Sequence, residues 1–228
     1  MENRKPFDWI NDESITFLRR GYLSEGEEPL ERIRVIADHA EKLLGKAGFA
    51  DKFYDYMGRG WYSLSSPVWA NFGKKRGLPV SCFGSNVGDN IESILYTQAE
   101  VGEMSKMGGG TSGYFGNIRG RGATITDNGH APGAVHFMNL FQSVVDNISQ
   151  GSTRRGRFSP YLPIEHPDIM EFMGLRIPTG DVNRKCFNLH NAVNISDKFM
   201  SAVLAGTKYE LIDPKLGNTG EWLDARVV

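Results

Sequence analysis

The sequence is poor in cysteine: Cys82 and Cys186 are its only two, too few for a disulfide-stapled secreted scaffold. Its first residues, MENRKPFDW, contain no apolar signal core, so the expected setting is reducing and cytoplasmic. No apolar run approaches the about 18 residues that a membrane helix requires, which excludes a helical membrane span. An excess of charge of one sign is missing too. Lysine and arginine number 26 against 27 acids, for a formal charge of −1. That balance argues against a protein held to nucleic acid by bulk electrostatics, so any anionic ligand must be met by local arrangements. The five histidines, His39, His130, His136, His166 and His190, show no metal-ligand spacing with one another or with cysteine, and no metal site is expected. Internal repeats and low-complexity linkers are also lacking.

What is present is glycine, 27 residues in 228, clustered rather than scattered. The remaining composition, 40% hydrophobic and 11% aromatic, is that of a globular chain able to build a core. The length suits one sizeable α/β domain, or a small domain with part of a larger one, and is short for a multi-step redox enzyme.

Residues 1–61 read as a helical region. Pro29 stands where a first-turn proline belongs, and Leu30, Ile33, Ile36, Ala37, Ala40, Leu43 and Leu44 recur at helical spacing before Gly45 and Gly48 close the segment. From Tyr62 the pattern changes to short stretches broken by Gly and Pro, read as loop and turn through SLSSPVWANFG, with Cys82 at the end of GLPVSCF, read as a short strand. Asp89, three residues before Glu92, reads as the cap of a helix running to about Met107. Another helix is expected from about Pro132 to Ser149, with Val135, Met138, Phe141 and Val145 on one face. Alternation of Phe187, Leu189, Val193 and Ile195 predicts a half-buried strand over 187–195, and Ser196 caps a short helix ending near Gly206. The final GEWLDARVV reads as a helix cut short. Strands alternating with helices at this spacing predict an α/β fold with a largely parallel sheet.

Two polar, glycine-bearing stretches could carry chemistry. GGGTSGYFGNIRGRG, from Gly108 to Gly122, lets backbone amides and the guanidinium groups of Arg119 and Arg121 approach an anion closely, yet fits neither a dinucleotide fingerprint nor a P-loop. In SQGSTRRGR, Gln150 and Arg154 could read a base edge and a phosphate. On composition alone, the first stretch reads equally well as a flexible surface loop, and the second reads as a solvated basic turn. Each cysteine taken singly reads as a small buried hydrophobe.

Ser66 lies sixteen residues before Cys82 and Asp89 seven after it; the glycine run ends in NIRGRG, and SQGSTRRG follows one helix later. In this order and spacing, from about Tyr62 to Asp213, the chain resembles the catalytic large subunit of ribonucleotide reductase. The resemblance implies an N-terminal helical region (residues 1–61) followed by the first half of a ten-stranded α/β barrel (residues 62–228). It implies reduction of ribonucleotides to deoxyribonucleotides, with Cys82 as a reductant thiol that pairs with a later cysteine. Ser66, Ser81 and Gly110 then line the substrate pocket. Asp89 and Arg119 would grip the sugar and phosphates of a dNTP or ATP effector with its Mg ion, and Gln150 and Arg154 would report its base. The helices over 89–107 and 132–149 would form a homodimer interface.

The thiyl-radical segment of that family, Asn-x-Cys-x-Glu, does not occur in these residues, and Cys186 is not a substitute for it. The resemblance therefore implies an N-terminal part, inactive alone. It would work with a C-terminal half, a radical source and thioredoxin or glutaredoxin as reductant. The radical source would be a metal-containing small subunit, or adenosylcobalamin. The competing expectation is a non-catalytic nucleotide-binding regulatory module of the same fold.

Overall fold

A computed structural model describes residues 5–75, 77–148 and 155–228. Two compact units divide the chain, one comprising residues up to Ser81 with Met107–Gly109, the other Cys82–Lys106 and most of the chain from Gly110 onward.

The first unit is helical: α1 (Asp12–Arg19), α2 (Pro29–Leu44), α3 (Phe49–Gly58) and α4 (Ser66–Asn71). Pro29 opens α2, where its missing N–H costs nothing, and Gly45 ends it at φ 63°, a left-handed cap that suits glycine. Leu18, Ile33, Ile36, Met57 and Trp69 form the core. Helix α4 departs from the loop expected at SLSSPVWAN: Pro67 fits its first turn, and Arg32 secures its far end. Fully buried, Arg32 donates from Nε to the Trp69 carbonyl (2.6 Å) and from Nη2 to those of Val68 (3.1 Å) and Phe72 (2.7 Å). These are carbonyls that a helix C-terminus leaves unpaired. Burial pulls the guanidinium below its usual range, and Glu27, 3.7 Å away, opposes that shift.

The second unit is a parallel sheet with helices, as the alternating pattern predicts. Its strands β1 (Cys82–Asn86), β2 (Gly110–Tyr114), β3 (Phe158–Pro163) and β4 (Ala192–Asn194) lie in sequence order, each parallel to the next. Helix α5 (Ile91–Lys106) connects β1 to β2, and α6 (Ala134–Asn147) lies between β2 and β3. Val101, Phe115, Met138, Phe141, Phe158 and Leu162 are among the residues filling the core. Short α7 (Ile169–Met173), then α8 (Asp197–Ala205), capped by the Ser196 hydroxyl and ended by Gly206 at φ 66°, lead to an antiparallel hairpin of β5 (Lys208–Asp213) and β6 (Gly217–Asp224). Among the described residues no helix is long and apolar enough to cross a membrane.

Several expectations need correction. The first strand, Cys82–Asn86, starts near the end of the one expected over GLPVSCF. Part of the glycine run is strand β2, where an added Cβ at Gly113 would lie 2.7 Å from the Phe158 ring, so this glycine makes room for a core aromatic. The strand expected over 187–195 contracts to Ala192–Asn194, because Phe187 and Ile195 are exposed. GEWLDARVV is a strand and turn, not a helix. Strand β3 is hidden in sequence by Pro160 and Pro163, residues that argue against a central strand. The register places Pro160 where an N–H would meet the His190 carbonyl, and the Ser159 hydroxyl donates to that carbonyl instead.

Cys186 is wholly buried, its Sγ 3.2 Å from Asn139 Oδ1, and burial pushes its thiol up to about 12. Cys82 is exposed.

Two outcomes follow. Replacing Arg32 by Met leaves the end of α4 without its donors and should cost the helical unit about 2–4 kcal/mol, read as a lower urea midpoint; a loss under about 0.5 kcal/mol would refute the role. At pH 8, N-ethylmaleimide should label Cys82 rapidly and Cys186 only on unfolding, as followed by peptide mass spectrometry. Because the folded thiol titrates higher than the unfolded one, the Cys186 contribution to stability is present below about pH 9 and lost as pH rises toward 12.

Candidate functional site

Asp89 and Arg119 follow the carboxyl ends of the neighbouring parallel strands β1 and β2, the edge of an α/β sheet where ligands characteristically bind. Buried Val87 donates its N–H to the Tyr114 carbonyl (3.0 Å), extending the pairing, and the Asn117 amide braces the two exits by bonding Asn86 Oδ1 (2.6 Å) and the Val87 carbonyl (3.2 Å). The expected cap role of Asp89 is corrected here. Asn90 Oδ1 accepts from the Ser93 N–H (2.7 Å) and caps α5, leaving the Asp89 carboxylate for another partner.

That partner is Arg119. Asp89 Oδ1 accepts its main-chain N–H (3.1 Å), and Oδ2 accepts from Nε (2.8 Å) and lies 2.7 Å from Nη2. Nη1 donates to the Thr124 carbonyl (3.1 Å). The hydrogen bond to Asp89 raises the Arg119 guanidinium above its usual range against the opposing effect of burial. Both side chains remain about one-fifth exposed, at 19% and 21%, so a ligand can reach them. They line a cavity of about 380 Å³ whose walls include Ile91, Ile94, Ile125 and Phe137. An apolar wall suits a flat ring, the carboxylate a hydroxyl, and the guanidinium a phosphate.

Cys82 and Gly110 are the first aligned pair of β1 and β2, at the amino end of the sheet. Five residues of strand, roughly 16 Å, separate this end from the exits to Asp89 and Arg119. Ser81 immediately precedes β1 and is half-buried. Ser66 opens α4 in the helical unit and lines a cavity of about 660 Å³ there, with Trp9, Tyr22, Tyr62 and Trp69. Gln150 and Arg154 lie outside the described residues. The fold thus joins Asp89 to Arg119 and aligns Cys82 with Gly110. Among the described residues no three of His, Cys, Asp or Glu gather as a metal site. Sequence reasoning missed Asn90 and Asn117, and also Asp168 and Asp213, which accept the main-chain N–H groups of Arg121 and Gly120. Only Asn90 carried a signal, as a capping residue three positions before Ser93.

Comparison with known proteins is consistent along the chain. Residues 9–77 match the family model described as ribonucleotide reductase, all-alpha domain, and residues 80–224 the one described as ribonucleotide reductase, barrel domain. A ribonucleoside-diphosphate reductase large subunit of Invertebrate iridescent virus 6 is 34% identical over 195 residues, covering 82% of this chain and 18% of that protein. A vitamin B12-dependent ribonucleoside-diphosphate reductase of Mycobacterium tuberculosis is 28% identical over 217 residues, covering 90% of this chain and 31% of that protein. The structure of the Actinobacillus ureae class Id ribonucleotide reductase alpha subunit superposes with a TM-score of 0.79 at 49% identity, covering 90% of this chain and 37% of that one. The chain therefore spans about a third or less of the length of these curated relatives. Through both its helical and its sheet-bearing segments, the chain belongs to the ribonucleotide reductase family.

Proposed function

We propose that this chain supplies the effector site and one reductant thiol of a ribonucleoside-diphosphate reductase large subunit, acting with a C-terminal part that carries the remaining catalytic groups. The single observation that carries the effector reading is the Asp89–Arg119 pair at the mouth of an apolar cavity between the exits of two parallel strands. A deoxynucleoside triphosphate, or ATP, with its Mg ion would place its base against the isoleucines and Phe137. Its sugar hydroxyl would donate to Asp89, and its phosphates would meet Arg119. Gln150 and Arg154 belong to the same proposal as readers of the base.

In the reduction itself, the ribose 2′-oxygen leaves as water and two thiols become a disulfide, so Cys82 gives one proton and one electron and the second thiol gives the same. Exposure of Cys82 at the start of β1, beside Gly110, supports that role, since a reductant thiol has to meet both substrate and a second sulfur. Ser66 and Ser81 would bind the substrate phosphates and sugar. The radical source is assigned to a separate metal-containing small subunit, or to adenosylcobalamin, and thioredoxin or glutaredoxin would restore the thiols. A homodimer through α5 and α6 is supported by the exposure of Ile91, Leu95 and Tyr96 and by the groove that Leu95, Gly102, Val144 and Ile148 line.

The effector reading is tested by dTTP binding to this chain in solution. Asp89→Ala should raise the Kd at least tenfold, and an unchanged Kd would remove the assignment. The catalytic reading is tested by mixing the chain with its C-terminal part and a radical source and following CDP reduction with dithiothreitol present. Cys82→Ser should abolish turnover; turnover at the unsubstituted rate would exclude Cys82 as reductant. A chain that binds dTTP but supports no reduction under any such combination would instead be the regulatory module.

A further inference from the structure

Three consecutive main-chain N–H groups, those of Arg119, Gly120 and Arg121, each donate to a different carboxylate: Asp89 Oδ1 (3.1 Å), Asp213 Oδ2 (2.7 Å) and Asp168 Oδ1 (2.8 Å). The three acids come from the exit of β1, the end of β5 and the start of α7. We propose that Asp168 and Asp213 are positioning residues of the nucleotide site, buried carboxylates that hold the stem of the segment between β2 and α6 so that Arg119 meets the phosphates. This inference rests on the reading of Asp89 and Arg119 as a nucleotide grip.

Asp168 closes both ends of the segment. Its Oδ1 holds Arg121, and its Oδ2 accepts the N–H of Ala134 (2.7 Å), the first residue of α6. It stands at the N-cap of α7 but gives its own helix no side-chain cap, so its acceptor capacity is turned to another segment. Asp213 likewise divides its oxygens: Oδ2 holds Gly120, and Oδ1 takes the N–H groups of Lys215 and Leu216 (2.8 Å each) in the hairpin turn. Both carboxylates are buried, at 5% and 4% exposure, where a charge is retained only if well bonded.

Neighbouring groups fix the clamp itself. His166 Nδ1 accepts the Asp168 N–H (3.0 Å), so Nε2 carries the proton and donates to the Ile118 carbonyl (2.7 Å), one residue before Arg119. The Arg121 guanidinium makes two bonds to Glu171 (3.0 and 2.8 Å), which Arg184 shares. Burial pushes Glu171 up, but the hydrogen bonds from Arg184 and Arg121 outweigh it and leave it below the usual carboxylate range. Gly133, at φ 87°, has no room for a side chain, since a Cβ would lie 2.5 Å from Asp168 Oδ2. Beyond the stem the segment folds back on itself through a Thr124–His130 bridge. Its base is therefore held by Asp89, Asp168, Asp213 and His166, and the direction of the Arg119 side chain follows from that of its held backbone.

The test compares dTTP with thymidine, which lacks the phosphates Arg119 would meet, on the unsubstituted chain and on Asp168→Asn and Asp213→Asn. An amide turns a donor toward one of the N–H groups it replaces a carboxylate for, loosening the stem. Each variant should bind dTTP at least tenfold more weakly while thymidine affinity stays within twofold. Equal weakening of both ligands would mark a merely structural role and overturn the proposal, as would unchanged dTTP affinity. Should the asparagine variants fail to fold, Glu171→Gln loosens the Arg121 side chain and leaves the buried acids in place. It should weaken dTTP threefold or more with thymidine unaffected, and no change overturns the proposal. Failure of the unsubstituted chain to prefer dTTP, or indifference to Asp89→Ala, defeats the nucleotide reading itself; dTTP binding sensitive to Asp89→Ala but indifferent to the stem variants defeats only the clamp.

Discussion

The parallel pairing of β1 with β2, from Cys82 opposite Gly110 to Asn86 opposite Tyr114, is the constraint on which both proposed sites depend. It aligns a thiol with a glycine at one end of the sheet. At the other end it delivers two chain exits close enough for Asp89 to reach both the backbone and the guanidinium of Arg119. Strands of five residues are stiff over this length, so a shift of register by one residue would misplace both ends together. The glycines serve this pairing through packing: Gly113 leaves room for the Phe158 ring, which stacks on Phe141 beneath the sheet.

Buried charge is used in two ways. Arg32 gathers carbonyl groups at the end of a short helix, whereas Asp168 and Asp213 gather N–H groups at the base of a loop. In each case a full charge substitutes for the backbone partners that irregular segments lack, and fixes a direction that hydrophobic packing alone would leave loose. Arg119 sits where the two devices of the sheet unit meet, the strand exits and the acid clamp. Its orientation is consequently determined by groups distant in sequence.

The elements that could be read from sequence are those whose signals are local. Pro29 and Gly45 bounded α2, Ser196 and Gly206 bounded α8, and the spacing of Val135, Met138, Phe141 and Val145 identified the buried face of α6. Strand β3 could not be read, because its prolines argue against a central strand and the Ser159 hydroxyl that compensates acts across the sheet. The cap of α5 reads as Asp89 from its spacing to Glu92, but Asn90 takes that role through Ser93 because Asp89 is engaged by Arg119, thirty residues away. The hairpin of β5 and β6 is not legible either: GEWLDARVV reads as a helix, and its strand is set by pairing with Lys208–Asp213.

By itself the sequence determined the helical and parallel α/β classes of the two segments and carried, in its motifs, the likeness to the family; the groups proposed to grip a nucleotide or give up a hydrogen come from that likeness. The helical and strand classes follow from residue type and spacing, which survive without coordinates. Tertiary structure alone decided which of those groups meet. The Asp89–Arg119 pair spans thirty residues, the Asp168 clamp forty-seven and the Asp213 clamp ninety-three. A carboxylate selects its partner by distance and burial, and neither is written in the chain until it folds.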